Sequence, residues 1–139
     1  MNVNPNDYSP TAAGALILSP DALLGALVGA AVQLAGFRAV FPAADETPRT
    51  ALGRLRPTRL LVDFEDRSAS DESLLGPAMM IGARLFVFGP ERLTRDLPSI
   101  AIRFQVTAIV FPRDIDRLRE ILATPESEST PRLPQSTAP

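Results

Sequence analysis

Five short apolar runs punctuate the chain: GALILS from Gly14, RAVF from Arg38, RLLVD from Arg59, RLFVFG from Arg84 and VTAIVF from Val106. Their apolar residues are successive, so a strand built from one needs cover on both faces. The stretches between them have helical character and can supply that cover. Strands that alternate with helices, and are apolar throughout, imply an α/β fold with a parallel sheet wrapped on both sides.

The first helix is expected to start with Ser19 as its cap and Pro20 at its first position, and to run to about Gly36. ETPRTALGRLR is a short amphipathic helix. DESLLGPAMMIG is helical but is expected to break at Gly76-Pro77. Pro90 opens another helix in PERLTRDL. DIDRLREIL is a final amphipathic helix with Ile115, Leu118, Ile121 and Leu122 on one side. SIAIRFQVTAIVF has two readings: the end of a helix followed by a strand, or one long strand. Taken together these elements predict a doubly wound, five-stranded parallel sheet in the flavodoxin-like order 2-1-3-4-5.

A chain of 139 residues suits one domain. That domain is expected over residues 12–124. Residues 1–11, rich in Asn and Pro, and residues 125–139, rich in Pro, Ser and Thr, have little to bury and are expected to be disordered tails. A docking or phosphorylation segment is the alternative reading of either. From Ala12 to Phe37 the only charge is Asp21, yet no Arg precedes Arg38, so a signal peptide lacks its basic start. Ser19-Pro20-Asp21 cuts the run into pieces shorter than the roughly 20 residues a span needs. No membrane association is expected, and the location is expected to be cytoplasmic.

What the chain lacks narrows its chemistry. There is no Cys, His or Trp, and all 14 basic residues are Arg. A thiolate nucleophile, an imidazole base, a zinc site of the usual kind, a Schiff base and a Walker lysine are therefore excluded. A net charge of −2 gives no support to nucleic-acid binding. No cofactor and no metal are expected. Carboxylates, hydroxyls, guanidinium groups and one Tyr remain. In RLLVDFEDRS a buried strand runs straight into three of these acids, Asp63, Glu65 and Asp66.

From about Ala13 to Ala123 the chain resembles the receiver domain of two-component response regulators. That family opens with a strand like ILVVDDD, continues with a helix ending AGY, and then reaches LVLLD. Here ALILSPD, LAGF and TRLLVD follow in the same order, with no gap from Ala15 to Asp63. RLFVFGP resembles the family's PVIVLTA, and AIVFPRD resembles its YLTKPFD, with Pro112 matching its proline.

The resemblance implies that Asp63 occupies the phosphoacceptor position. It also places the Mg²⁺-holding acid pair on Ser19 and Pro20, the switch hydroxyl on Gly89 and the phosphate-binding lysine on Phe111. Asp21 lies one place late. Only Asp63 keeps the family's chemistry. Phosphoryl transfer onto a carboxylate gathers negative oxygens, which Mg²⁺ and a fixed cation normally neutralise. Mg²⁺ takes near-octahedral oxygen ligands, and Pro20 offers none.

Asp63 therefore has three readings: an inherited acid hydrogen-bonded to nearby backbone, a divergent ligand or metal pocket formed with Glu65, Asp66 and Asp21, and a working phosphoacceptor. The function expected is that of an atypical receiver, a non-enzymatic module that binds a signalling protein. A phosphoacceptor regulator and a flavodoxin-like small-ligand binder are the alternatives. Phe86, Phe88 and Phe111 are expected in the core, with Phe111 alternatively plugging the emptied phosphate pocket. Arg92, Arg95, Arg113, Arg117 and Arg119 are expected on a salt-bridged surface or against an acidic partner.

The first helix has no charge from Ala22 to Phe37. Leu24, Leu27, Val28, Ala31 and Leu34 are expected to face the core. Gly25, Ala26, Gly29, Ala30 and Gln33 are expected to face outward, into a homodimer interface. A dimer through strand five is the rival.

Overall fold

The structure is a computed structural model and describes residues 14–97 and 99–123; both expected tails lie outside the described residues. Strands β1 (Gly14–Leu18), β2 (Arg38–Val40), β3 (Arg59–Asp63), β4 (Arg84–Gly89) and β5 (Thr107–Val110) form one sheet. All pairings are parallel, in the order β2-β1-β3-β4-β5, as the alternating pattern predicts. Between them run α1 (Ala22–Leu34), α2 (Pro48–Leu55), α3 (Glu72–Met80), α4 (Leu93–Asp96) and α5 (Ser99–Arg103), with α6 (Leu118–Ala123) last.

The period of two along each strand divides the core. Leu16, Leu18, Leu60, Val62, Leu85 and Val87 face Ala51 and Leu52 of α2, Leu74, Leu75 and Ala78 of α3, and Leu93. Ala15, Ile17, Leu61, Phe86 and Phe88 face Val28 and Val32 of α1 and Leu118 and Leu122 of α6. Burying each large apolar side chain contributes about 1.5–3 kcal/mol. A Leu61→Ala or Phe86→Ala change would thus open a cavity costing about 2–5 kcal/mol.

The start of α1 differs from expectation. Asp21 is its cap, accepting hydrogen bonds from the N–H groups of Leu23 at 3.0 Å and Leu24 at 3.1 Å. Pro20 precedes the helix, and the Ser19 hydroxyl is turned elsewhere, as described below.

The phase of α1 is also corrected. Gly25, Val28, Gly29 and Val32 are buried, whereas Leu27 and Leu34 are exposed. The cause is close approach. A β-carbon at Gly29 would lie 2.8 Å from Cζ of Phe41 and 3.6 Å from Cβ of Ala39. The glycine ridge lets the helix settle onto the β2 side of the sheet, which turns the leucines outward.

Three further boundaries shift. α3 continues through Pro77 without a break, because Leu74, Leu75 and Ala78 anchor it on both sides of the proline. The helix expected from Pro90 is only the short α4. The ambiguous stretch becomes α5 and then β5, parted where Gln105 takes a φ of +57°. A 3₁₀ turn, Ile115–Arg117, precedes α6. Its tighter winding slips the helical phase, so Ile115 is exposed rather than packed beside Leu118 and Leu122.

Candidate functional site

The carboxyl ends of β1, β3, β4 and β5 bring Ser19, Asp63, Gly89 and Phe111 to one edge of the sheet. Asp63 closes β3 opposite Phe88 in the register, and only 1% of it is exposed. Its carboxylate is hydrogen-bonded on both oxygens. The Ser19 hydroxyl donates to Oδ2 at 2.6 Å, and the N–H of Glu65 donates to Oδ1 at 2.8 Å. The backbone carbonyl of Asp63 accepts from the N–H of Asp66 at 2.8 Å, which closes the turn.

Gly89 is buried, and it is pressed against the residue that follows Asp63. A β-carbon there would stand 2.8 Å from Cβ and 3.5 Å from Cγ of Phe64. Phe64 is held in turn by its N–H, which donates to the carbonyl of Phe88 at 2.8 Å. The guanidinium of Arg92 lies 5.1 Å over the Phe64 ring and is ion-paired with Glu65. The position that the resemblance assigns to a switch hydroxyl therefore has no room for a side chain.

Phe111 follows β5, and its N–H donates to the carbonyl of Gly89 at 2.8 Å. Its ring packs edge-on to Phe88, 6.0 Å between centroids at 67°. The Phe111–Pro112 peptide is cis. Phe86 and Phe88 are core, as expected, and Phe111 is half-buried against the same cluster. An aromatic ring thus extends the core to the place where the family resemblance puts a lysine.

Pro20 is exposed and contributes no ligand. The donor set that would have to hold Mg²⁺ reduces to Asp63 and the neutral hydroxyl already bonded to it. Asp21 is engaged in capping α1. These residues do not fit a Mg²⁺ site.

The wider acid set does not converge either. Glu65 pairs with Arg92, and Asp66 accepts from the N–H of Ser68 at 2.9 Å. Among the described residues no group of three or more acids stands close enough to hold a metal ion. A crevice of about 380 Å³ does open between the β1–α1 turn and the segment after β2, touching Ser19, Asp21, Phe41, Glu46 and Asp66. Its carboxylates are all committed to partners. Glu46 accepts two hydrogen bonds from the Arg54 guanidinium and one from the N–H of Ala43, which together hold its pKa down to about 2.

One organising residue was not singled out from the sequence. Asp114 is buried, and its Oδ2 accepts from the N–H of Val110 at 2.9 Å. Arg113 reaches its other oxygen at 3.3 Å and Arg117 at 3.6 Å. The Val110 hydrogen bond, ahead of the two guanidinium groups, holds this carboxyl below the usual range. The signal that could have found it is the preference of Asp for turns in which its side chain bonds nearby backbone. Arg92, Arg113 and Arg117 are otherwise exposed and salt-bridged.

Of the five residues expected on the outward face of α1, Ala26, Ala30 and Gln33 are exposed, while Gly25 and Gly29 are buried within the chain. No helix of the described residues is long and apolar enough to cross a membrane.

No family model matches the sequence, and no curated protein matches it. Solved structures do. The receiver domain of AraT, a response regulator from Geobacillus stearothermophilus, superposes with a TM-score of 0.59 at 22% identity, over 81% of this chain and 91% of that one. A pilus assembly-related protein from Burkholderia pseudomallei superposes with a TM-score of 0.61 at 17% identity, over 83% and 90%. The sheet order and these likenesses show that the chain has the receiver fold.

Proposed function

We propose that this chain is a non-enzymatic signalling module, an atypical receiver that acts through protein contacts and not through phosphorylation of Asp63. The observation that carries this reading is the buried carboxylate held on both oxygens. Asp63 is buried, and both of its oxygens already accept hydrogen bonds, one of them from the hydroxyl that stands in an acid's place. A phosphoryl group on it would add charge with neither a metal ligand pair nor a cation behind it. Gly89 cannot offer a hydroxyl, and Phe111 offers no charge.

The receiver fold of AraT supports a signalling role. The pilus assembly-related protein shares the fold, and a fold alone does not assign a function. The test is incubation with Mg²⁺ and acetyl phosphate, read by intact mass. No labile adduct is expected, and beryllofluoride should leave the backbone amide spectrum unchanged. A phosphate adduct that disappears in Asp63→Asn overturns the reading in favour of a phosphoacceptor. Saturable binding of a nucleotide or metal ion in the 380 Å³ crevice overturns it in favour of a ligand sensor.

A further inference from the structure

The edge of the sheet opposite Asp63 is basic. Arg38 opens β2, Arg59 opens β3 and Arg84 opens β4, and Arg56 stands just ahead of β3. The stretches 35–39, 56–60, 82–84 and 103–107, which lead into β2, β3, β4 and β5, contain no acid. Two of the cations lie side by side. Arg59 and Arg84 are partners in the β3–β4 register, so their side chains leave the same face of the sheet. The Arg59 guanidinium lies 4.6 Å over the Phe37 ring, and that of Arg84 lies 5.4 Å over the Phe86 ring. Burial, and after it the charge of Arg84, hold the Arg59 guanidinium below its usual pKa.

The chain leaves the described structure at the same place. Arg59 Nε donates to the carbonyl of Leu122 at 2.8 Å, one residue before the end of α6. The next acids in the sequence are Glu126 and Glu128, in TPESESTP. Three residues of extended chain span at most about 11 Å. Arg84 is one strand, about 4.8 Å, from Arg59. Both acids are therefore within reach of both guanidinium groups.

We propose that the segment from Thr124 to Thr130 folds back along this edge and sets the carboxylates of Glu126 and Glu128 against the Arg59–Arg84 pair, as an intramolecular strap. The inference goes beyond the reading of the chain as an interaction module and does not depend on the state of Asp63. Pro125 has no N–H with which to continue α6. Two adjacent guanidinium groups favour an anion beside them, and the fork of Arg donors matches a carboxylate. An ion pair between freely exposed side chains stabilises little. Here Arg59 is already held in place by a backbone carbonyl and a ring, so less freedom is lost when it pairs. A carboxylate tethered this close also has an effective concentration of roughly millimolar, so even a weak contact is populated. The strap screens this edge from other anions, and its hold falls with ionic strength.

The chain has no cysteine, so Ser127→Cys gives the full-length protein a single attachment point for a nitroxide. The label should enhance relaxation of the Arg84 amide at least three-fold more than it does in a Glu126→Gln/Glu128→Gln protein. Raising NaCl to about 0.5 M, where the Debye length is roughly 4 Å, should abolish the difference. Arg84→Gln should match the double tail variant, read at the Thr107 amide on the next strand, and Arg38→Gln, on the far flank of the edge, should leave the enhancement unchanged. Equal enhancement in the parent and the Glu126→Gln/Glu128→Gln protein, or a difference indifferent to salt, overturns the strap. An equal loss in Arg38→Gln overturns its assignment to the Arg59–Arg84 pair. Isotope-labelled protein without a nitroxide, mixed with nitroxide-labelled protein without the isotope, should show no enhancement. Enhancement in that mixture would place the segment on a second copy and overturns the intramolecular contact.

Discussion

Gly89 lies so close to Phe64 that a β-carbon on it would stand 2.8 Å from the β-carbon of Phe64. Real side chains do not tolerate that distance, and neither atom can rotate away, because each is fixed by its backbone. The turn after β3 and the end of β4 are thereby locked together beside Asp63.

The first prediction follows from that contact. Gly89→Ser should destabilise the fold by about 1–3 kcal/mol, the range for overpacking a filled site. Phe64→Ala should not rescue it, because alanine keeps the offending β-carbon. Urea titration of the single and double variants measures both effects. A Gly89→Ser protein as stable as the parent would show that the gap can open.

The second concerns Ser19 and Asp63. Removing the Asp63 side chain takes the acceptor from the Glu65 N–H and leaves the Ser19 hydroxyl only its longer contact, 3.1 Å, with the Asp21 carbonyl. Asp63→Ala should cost about 1–3 kcal/mol. Asp63→Asn should cost less, since its carbonyl can still accept from Glu65 and its amide can donate to the Ser19 oxygen. A double-mutant cycle with Ser19→Ala should return a coupling of about 1.5 kcal/mol or more, as befits a hydrogen bond to a charged acceptor. Additive effects would mean that the 2.6 Å contact contributes nothing to stability.

The strands were legible because burial on both faces leaves a local mark. RLLVD and RLFVFG are continuous apolar runs, and the structure bounds β3 and β4 at those residues. The meeting of Ser19, Asp63, Gly89 and Phe111 was legible through the family resemblance, since a parallel sheet places all its carboxyl ends on one edge. The rotation of α1 was not legible. A helix of leucine, alanine and glycine has no polar face to fix its phase, and the contact that decides it, Gly29 on Phe41, is a matter of tertiary approach. Nor could spacing reveal the continuity of α3 across Pro77, which depends on Leu75 and Ala78 being buried. The acids of RLLVDFEDRS looked like a cluster because they are adjacent in sequence. The turn after β3 sends them to different partners.

A third prediction concerns acid stability. The Asp114 carboxyl titrates lower in the fold than in the unfolded chain, chiefly through the Val110 N–H. A depressed pKa stabilises the fold at pH values above the unfolded value, about 3.9, and that contribution is lost as pH falls through the folded pKa. Asp114→Asn should therefore melt below the parent at neutral pH, and the gap should narrow as pH drops below about 4. The difference between the two proteins isolates Asp114 from Glu46, whose depressed pKa acts in the same direction in both. A gap that stays constant down to pH 2 would show that the carboxylate charge at residue 114 is not what stabilises the β5–α6 connection.

The two buried glycines of α1 should respond differently to alanine. At Gly25 the nearest atom to a new β-carbon is Cβ of Ser19 at 3.6 Å, an ordinary contact. The methyl group fits, and the helix gains about 1 kcal/mol of propensity. Gly25→Ala should raise the melting temperature by a few degrees. At Gly29 the new β-carbon would meet Cζ of Phe41 at 2.8 Å. That atom is the far end of a side chain that is 43% exposed, so the ring can swing outward, giving up part of its packing. The propensity gain is then largely offset, and Gly29→Ala should shift the melting temperature by less than Gly25→Ala. Differential scanning calorimetry on the two variants decides it. A drop at Gly25 comparable to a core cavity would mean that another backbone approaches there, and that this glycine, like Gly89, is kept for contact.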